Sequence, residues 1–164
     1  MSRYDKRKER DLIEDLKRRG FTILAHYGDR ELGKGDVLAD FKGKCIRFDN
    51  KSTIKPSRVS VMVDKTWIDK LQSECEKCFD DVGYSYAVIS ITTKGRSTKF
   101  CITRSFFNDS NVSTFIEYDI NTRYQSIPTH ILDNSPVVKL GDMYICKLTV
   151  LVEALSGEIN PLLL

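Results

Sequence analysis

Apolar positions recur with two different periods along this chain, and the changes of period mark out its elements. In residues 3–19, Leu12, Ile13 and Leu16 fall at helical spacing among Glu14, Asp15, Lys17 and Arg18, and Gly20 follows as a stop signal. This predicts an amphipathic first helix. Glu9 precedes Leu12, Ile13 and Leu16 by three, four and seven positions, so its carboxylate projects along the apolar stripe and needs a partner there. Residues 21–26 alternate like a short strand, and residues 27–35 form a charged loop punctuated by glycine.

Residues 36–41 and 45–51 read as two strands joined at Lys42-Gly43. A two-residue turn there sets Phe41 against Lys44, Ala39 against Ile46, Val37 against Phe48, and Asp36 against Asp49. A slip of one residue would mix apolar and charged positions on both faces, which favours this register. Lys51 shares the face of Asp49, because residues two apart in a strand point the same way. Asp40 and Arg47, also on that face, are candidates for a structural ion pair.

Residues 54–58 hold a proline and predict a connection, and 59–63 a short extended segment. A second helix over 64–79 places Ile68, Leu71, Cys75 and Cys78 on one stripe, with Asp64 as its N-cap. Residues 84–92 and 98–103 predict strands around the turn Lys94-Gly95-Arg96. The pattern weakens over 108–136 into a polar connection with scattered aromatics. Residues 143–155 are strongly apolar; Ile145, Leu148, Val152 and Leu155 match a helical stripe, while 143–148 could equally open as a strand.

At 164 residues the chain has the length of one domain, with a core expected over about 5–105 and a C-terminal elaboration over about 106–164. Apolar residues at 41% and charged residues at 30% fit a soluble globular protein rather than a disordered one. The longest apolar stretch near either end is far short of the ~18 residues of a membrane span, and the N-terminus leads into charge, so a cytoplasmic protein without membrane contact is expected. Five scattered cysteines agree with a reducing compartment. Cys75 and Cys78 lie on the apolar stripe with no second such pair, which favours packing over zinc. His26 and Asp29 have no nucleophile signature beside them. Trp67 predicts a core or interface anchor.

Charge is divided unevenly. Residues 1–58 carry 16 Lys and Arg against 10 Asp and Glu, a balance of +6, and the remainder carries 10 against 13. The basic third surrounds Asp36, Asp49, Lys51 and the inward Glu9. Two acids and a lysine on one sheet face, reached by a glutamate from a helix, are parts that hold a hard divalent cation and aim water at phosphorus. Arg3, Lys6, Arg7, Lys8, Arg10, Arg30, Lys34, Lys55 and Arg58 would then grip DNA phosphates without reading bases. The plainer alternative is that Asp36 and Asp49 are strand-edge charges with Lys51 as a solvated partner.

The run Lys8-Glu9-Arg10-Asp11-Leu12-Ile13 through Arg19-Gly20-Phe21, then Gly35-Asp36-Val37, then Asp49-Asn50-Lys51-Ser52, resembles the PD-(D/E)xK nuclease superfamily. In order and spacing it is most similar to archaeal-type Holliday junction resolvases, over roughly residues 5–92. Gly35 stands where the family has proline, and Asp29-Arg30-Glu31-Leu32-Gly33 replaces its serine-glycine loop. The resemblance implies an α/β fold with a restriction-endonuclease-like central mixed sheet flanked by helices. It implies Mg²⁺, with Mn²⁺ as a substitute, held by Glu9, Asp36, Asp49 and the Asn50 carbonyl, with Lys51 assisting the attacking water. A structure-selective endonuclease that cuts Holliday junctions follows, working as a homodimer because a junction has paired strands to cut. Flaps, forks or duplex are alternative substrates, and an inactive DNA-binding module of the same fold is a further alternative. The 143–155 stretch is expected to supply part of the dimer interface or to complete the monomer core.

Overall fold

A computed structural model of the chain describes residues 3–25, 36–52, 60–77, 86–92 and 98–157. Helix α1 (Arg3–Arg18) leads into strand β1 (Thr22–Ala25), followed by β2 (Asp36–Phe41), β3 (Lys44–Ser52), β4 (Ser60–Asp64), α2 (Lys65–Lys77), β5 (Tyr86–Thr92) and β6 (Lys99–Thr103). The C-terminal part adds a 3-10 turn (Asp109–Asn111), β7 (Thr114–Ile116), β8 (Tyr124–Pro128), α3 (Thr129–Asn134), β9 (Val137–Leu140), β10 (Met143–Lys147) and α4 (Leu148–Leu155).

Eight strands form one mixed, mostly antiparallel sheet in the order β1-β2-β3-β5-β6-β10-β9-β7, and β4 pairs with β8 separately. β1, β2 and β3 run as an antiparallel meander, whereas β3 and β5 are parallel, with α2 within the crossover between them.

The sheet lies between two apolar layers. On one face Leu12 and Leu16 of α1, with Leu148, Leu151 and Leu155 of α4, pack with Val37, Ala39, Ile46, Phe48 and Val88. On the other, Ile68 and Leu71 of α2, Val61 and Val63 of β4, Ile127 of β8 and Leu132 of α3 pack with Ala87, Ile89, Ile91, Phe100 and Ile102. Alternate residues of each strand serve opposite layers, which is why β6 is buried along its whole length and β5 from Ala87 onward.

Local chemistry explains the element ends. α1 stops at Gly20, whose φ of +96° a β-carbon would oppose. The Phe21 amide donates to the Leu16 carbonyl at 3.0 Å and the Gly20 amide to that of Lys17 at 3.1 Å, the pairing of a Schellman cap. Asp64 caps α2, its Oδ1 accepting from the Thr66 amide at 3.0 Å.

The C-terminal part departs from one expectation and decides between two others. The 108–136 stretch builds a 3-10 turn, two strands and a helix, too short and too polar on their outer faces to show a period. Residues 143–155 are a strand followed by a helix, so Ile145 belongs to β10 rather than to a helical stripe. Met143, Ile145, Cys146, Leu148, Leu151 and Leu155 are all buried, with β10 inserted between β6 and β9. This stretch completes the monomer core, which leaves its buried side chains unavailable to a dimer interface.

Candidate functional site

The site begins with the β2–β3 turn. Lys42 and Gly43 both have positive φ, 49° and 87°, as a two-residue turn matched to strand twist requires. The Gly43 amide donates to Asp40 Oδ2 at 3.3 Å, so Asp40 serves the turn. The resulting register pairs Phe41 with Lys44, Ala39 with Ile46, Val37 with Phe48, and Asp36 with Asp49. The side chain of Asp36 lies outside the described residues.

Asp49 is only 3% exposed. Parallel pairing sets it beside Ile89 and sets Lys51 beside Ile91, on the sheet face that α2 covers. Lys51 Nζ lies 3.3 Å from Asp49 Oδ1, and Lys70 Nζ, from α2, lies 3.8 Å from Oδ2. An ionised carboxylate removed from water costs several kcal/mol unless charge compensates it. Two ammonium groups, one borne by the strand and one by the facing helix, supply that charge.

Asn50 points to the other face, where its Oδ1 accepts from Ser90 Oγ and Thr92 Oγ1, each at 3.2 Å. That is the layer of α1. Glu9, 5% exposed, is buried there as its position on the apolar stripe of α1 predicts. The sheet therefore separates the layer of Glu9 from the layer of Asp49, Lys51 and Lys70. On the α1 side Asp15 accepts from Lys99 Nζ at 2.9 Å and from Arg19 Nε at 2.8 Å. Burial alone would push the Asp15 carboxyl up, but those hydrogen bonds and the two cationic charges outweigh it and hold the group below its ordinary range.

Among the basic residues expected to meet DNA, Arg10 is exposed on α1. Arg30, Lys34, Lys55 and Arg58, and the side chains of Arg3, Lys6, Arg7 and Lys8, lie outside the described residues. Lys70 was not foreseen: within the sequence it is one more charge on the polar side of α2, and only the parallel β3–β5 crossover brings that helix against Asp49.

Asp36, Asp49 and the Asn50 carbonyl offer hard oxygen donors of the kind Mg²⁺ and Mn²⁺ select. Among the described residues no three His, Cys, Asp or Glu side chains come together as a ligand set. The side chain of Cys75, and Cys78, His26 and Asp29, lie outside the described residues; His130 is exposed on α3, and Trp67 is half-buried against the core. Cys101 and Cys146 are free thiols directly opposite each other on β6 and β10, and burial pushes Cys101 up to about 12.

No helix among the described residues is long and apolar enough to cross a membrane. Comparison of the chain with family models, curated proteins and solved structures finds no match.

Proposed function

We propose that this chain is a Mg²⁺-dependent DNA endonuclease of the PD-(D/E)xK kind, with a restriction-endonuclease-like core, acting on branched DNA as a Holliday junction resolvase. The observation that carries the reading is the register of Asp36 with Asp49 together with the Lys51 ammonium 3.3 Å from Asp49. The order of α1, an antiparallel β1–β2–β3 meander and a parallel β5 reached past α2 supports it, since that is the core the resemblance implies.

Hard oxygen donors suit such a cation: Asp36, Asp49 and the Asn50 carbonyl would hold it, whereas Glu9, expected from the sequence as a further ligand, lies in the α1 layer across the sheet from Asp49 and is left out of the set. Bound there, the ion supplies positive charge to the phosphodiester oxygens. Lys51, fixed on β3 beside Asp49, orients the attacking water by donating to it. A junction has two strands to cut, so two copies of the chain go with this substrate.

The test is incubation with matched four-way junction, flap and linear duplex, with Mg²⁺ or with a chelator, for the wild type and Asp49→Asn. The junction should be cut only with metal, and Asp49→Asn should lower the rate by at least about 100-fold, as loss of a central electrostatic group does, while DNA binding persists. Cleavage by Asp49→Asn at the wild-type rate, or no cleavage of any substrate by the wild type, refutes the reading.

A further inference from the structure

The α1 face of β3 and β5 changes character at one height. β3 presents Ile46, Phe48 and then Asn50 to that face, and β5 presents Val88, Ser90 and then Thr92. The parallel register sets Phe48 beside Val88 and Asn50 beside Ser90, so apolar pairing gives way to polar pairing on both strands at once. Solvent does not account for the switch, because Ser90 is 0% exposed and Thr92 7%. A buried hydroxyl needs a partner to offset its desolvation, and both of these donate to Asn50 Oδ1 at 3.2 Å. On the opposite face, Asp49 and Lys51 flank the same residue. Backbone bonding alternates along an antiparallel ladder, so, counted from the two-residue turn, Lys44, Ile46, Phe48 and Asn50 aim their carbonyls toward β2. Among the described residues the β2 register ends at Asp36 with Asp49, one residue short of Asn50. There the side chain supplies a tie: a fixed Oδ1 leaves only two torsions between it and the Asn50 Cα.

We propose that Ser90 and Thr92 are positioning residues for the divalent cation: through Asn50 Oδ1 they fix the Asn50 carbonyl, and with it the placing of Asp49 and Lys51 on either side. This rests on the metal-site reading above and extends it to two residues of β5 outside the motif. Groups that orient a ligand without touching the metal are worth about 10- to 100-fold in metal affinity.

Mn²⁺ alone, titrated into the DNA-free protein and followed by the paramagnetic resonance of the free ion, reads the site without any cleavage. The wild type should bind Mn²⁺, and Asp49→Asn should lose that binding. Ser90→Ala/Thr92→Val, which removes both hydroxyls at nearly constant shape, should weaken Mn²⁺ binding by about 10- to 100-fold. Thr92→Ser, which keeps the donor, should bind like the wild type. Thr103→Val removes another fully buried hydroxyl of the same sheet, one that donates to the Ala87 carbonyl at 3.4 Å; it should lower the urea midpoint and leave Mn²⁺ affinity unchanged. If the double variant lacks the wild-type circular dichroism spectrum, Ser90→Ala alone decides by the same titration, with an affinity below that of the wild type. The proposal is overturned if the folded variant binds Mn²⁺ as the wild type does, or if Thr103→Val weakens binding as much. A wild type that binds Mn²⁺ and cuts DNA, with β5 variants that bind Mn²⁺ normally, would sink the positioning role and keep the nuclease. Mn²⁺ binding that depends on Ser90 and Thr92 in a protein that never cuts would do the reverse. A wild type that binds no Mn²⁺ overturns the proposal whether or not it cuts, and one that also cuts nothing ends both readings.

Discussion

Replacing Lys99 by methionine removes one partner from a buried charge and leaves the chain's shape nearly intact. Lys99 lies on β6 opposite Thr92 and is 8% exposed, as is Asp15, whose Oδ2 it meets at 2.9 Å. Removing one partner of a buried pair costs about 3–5 kcal/mol, because the other charge stays desolvated. Here Arg19 still donates to Asp15 Oδ1 at 2.8 Å, so the loss should fall below that range, at about 2–3 kcal/mol. Asp15→Leu leaves the Lys99 ammonium buried without its carboxylate and should cost the full 3–5, in the sense of about 3–5 kcal/mol. The double replacement abolishes both charges and should return to within about 1 kcal/mol of the wild type, since an apolar pair of similar volume often substitutes for a buried ion pair. Urea denaturation gives all three values, provided the m-value holds steady. For a chain of this length Lys99→Met should also lower the melting temperature by roughly 4–12 °C. Lys99→Met within about 0.5 kcal/mol of wild type would refute the reasoning, because a surface substitution does no less.

Acid should reveal the same carboxylates. Burial pushes Asp64 up, but hydrogen bonds from Arg123 and Thr66 outweigh it, so Asp64, like Asp15, titrates below its ordinary 3.8. A lowered folded value gives stability that is complete above the unfolded pKa and lost as pH falls through the folded one. The urea midpoint should therefore hold from neutrality down to about pH 5 and fall below about pH 4, less steeply in Asp15→Asn/Asp64→Asn. With Cys45, Cys75 and Cys78 replaced by alanine, Cys101 and Cys146 should resist a thiol reagent until the protein unfolds, since both thiols are buried and raised; labelling on the mixing timescale would contradict this. At the β2–β3 turn, Lys42→Asn should stabilise by up to about 1 kcal/mol and Gly43→Val should destabilise by about 1–2, both read by thermal melting, because positive φ favours asparagine and glycine.

What the amino-acid pattern reveals here depends on how far apart the partners are in the chain. The β2–β3 register was legible to the residue, since a two-residue turn and the alternation from Val37 to Phe48 admit one pairing. The end of α1 at Gly20 and the Asp64 cap were legible for the same local reason. Glu9 was correctly read as inward, but which sheet face α1 covers is a tertiary fact, and that face turns out to hold Asn50 rather than Asp49. The apolar run over 143–155 left strand and helix open at its start, because β10 is buried on both faces and so shows no alternation; the strand reading is the one the fold adopts. The role of Lys70 was illegible for want of any period at all: it depends on a parallel pairing between strands separated by α2.

That dependence links the C-terminal elaboration to the candidate site. Helix α2 carries Lys70 little more than a turn after its cap, and the cap is tied to residues that follow the shared core. Arg123 donates to both oxygens of Asp64, at 3.3 and 3.2 Å, and its carbonyl accepts from the Lys65 amide at 2.8 Å. Lys65 Nζ donates to Thr122 Oγ1 at 3.1 Å and stands 4.8 Å over the Tyr118 ring, while β8 pairs with β4 just before the helix begins. Capping bonds and a buried ammonium fix a helix start more firmly than its exposed turns. The distance from Lys70 to Asp49 is therefore set from two directions: by β3 on one side, and on the other by a strap of residues 118–128 that holds α2 in place. The elaboration thus belongs to the architecture of the acid–lysine cluster, through the helix that it holds in place.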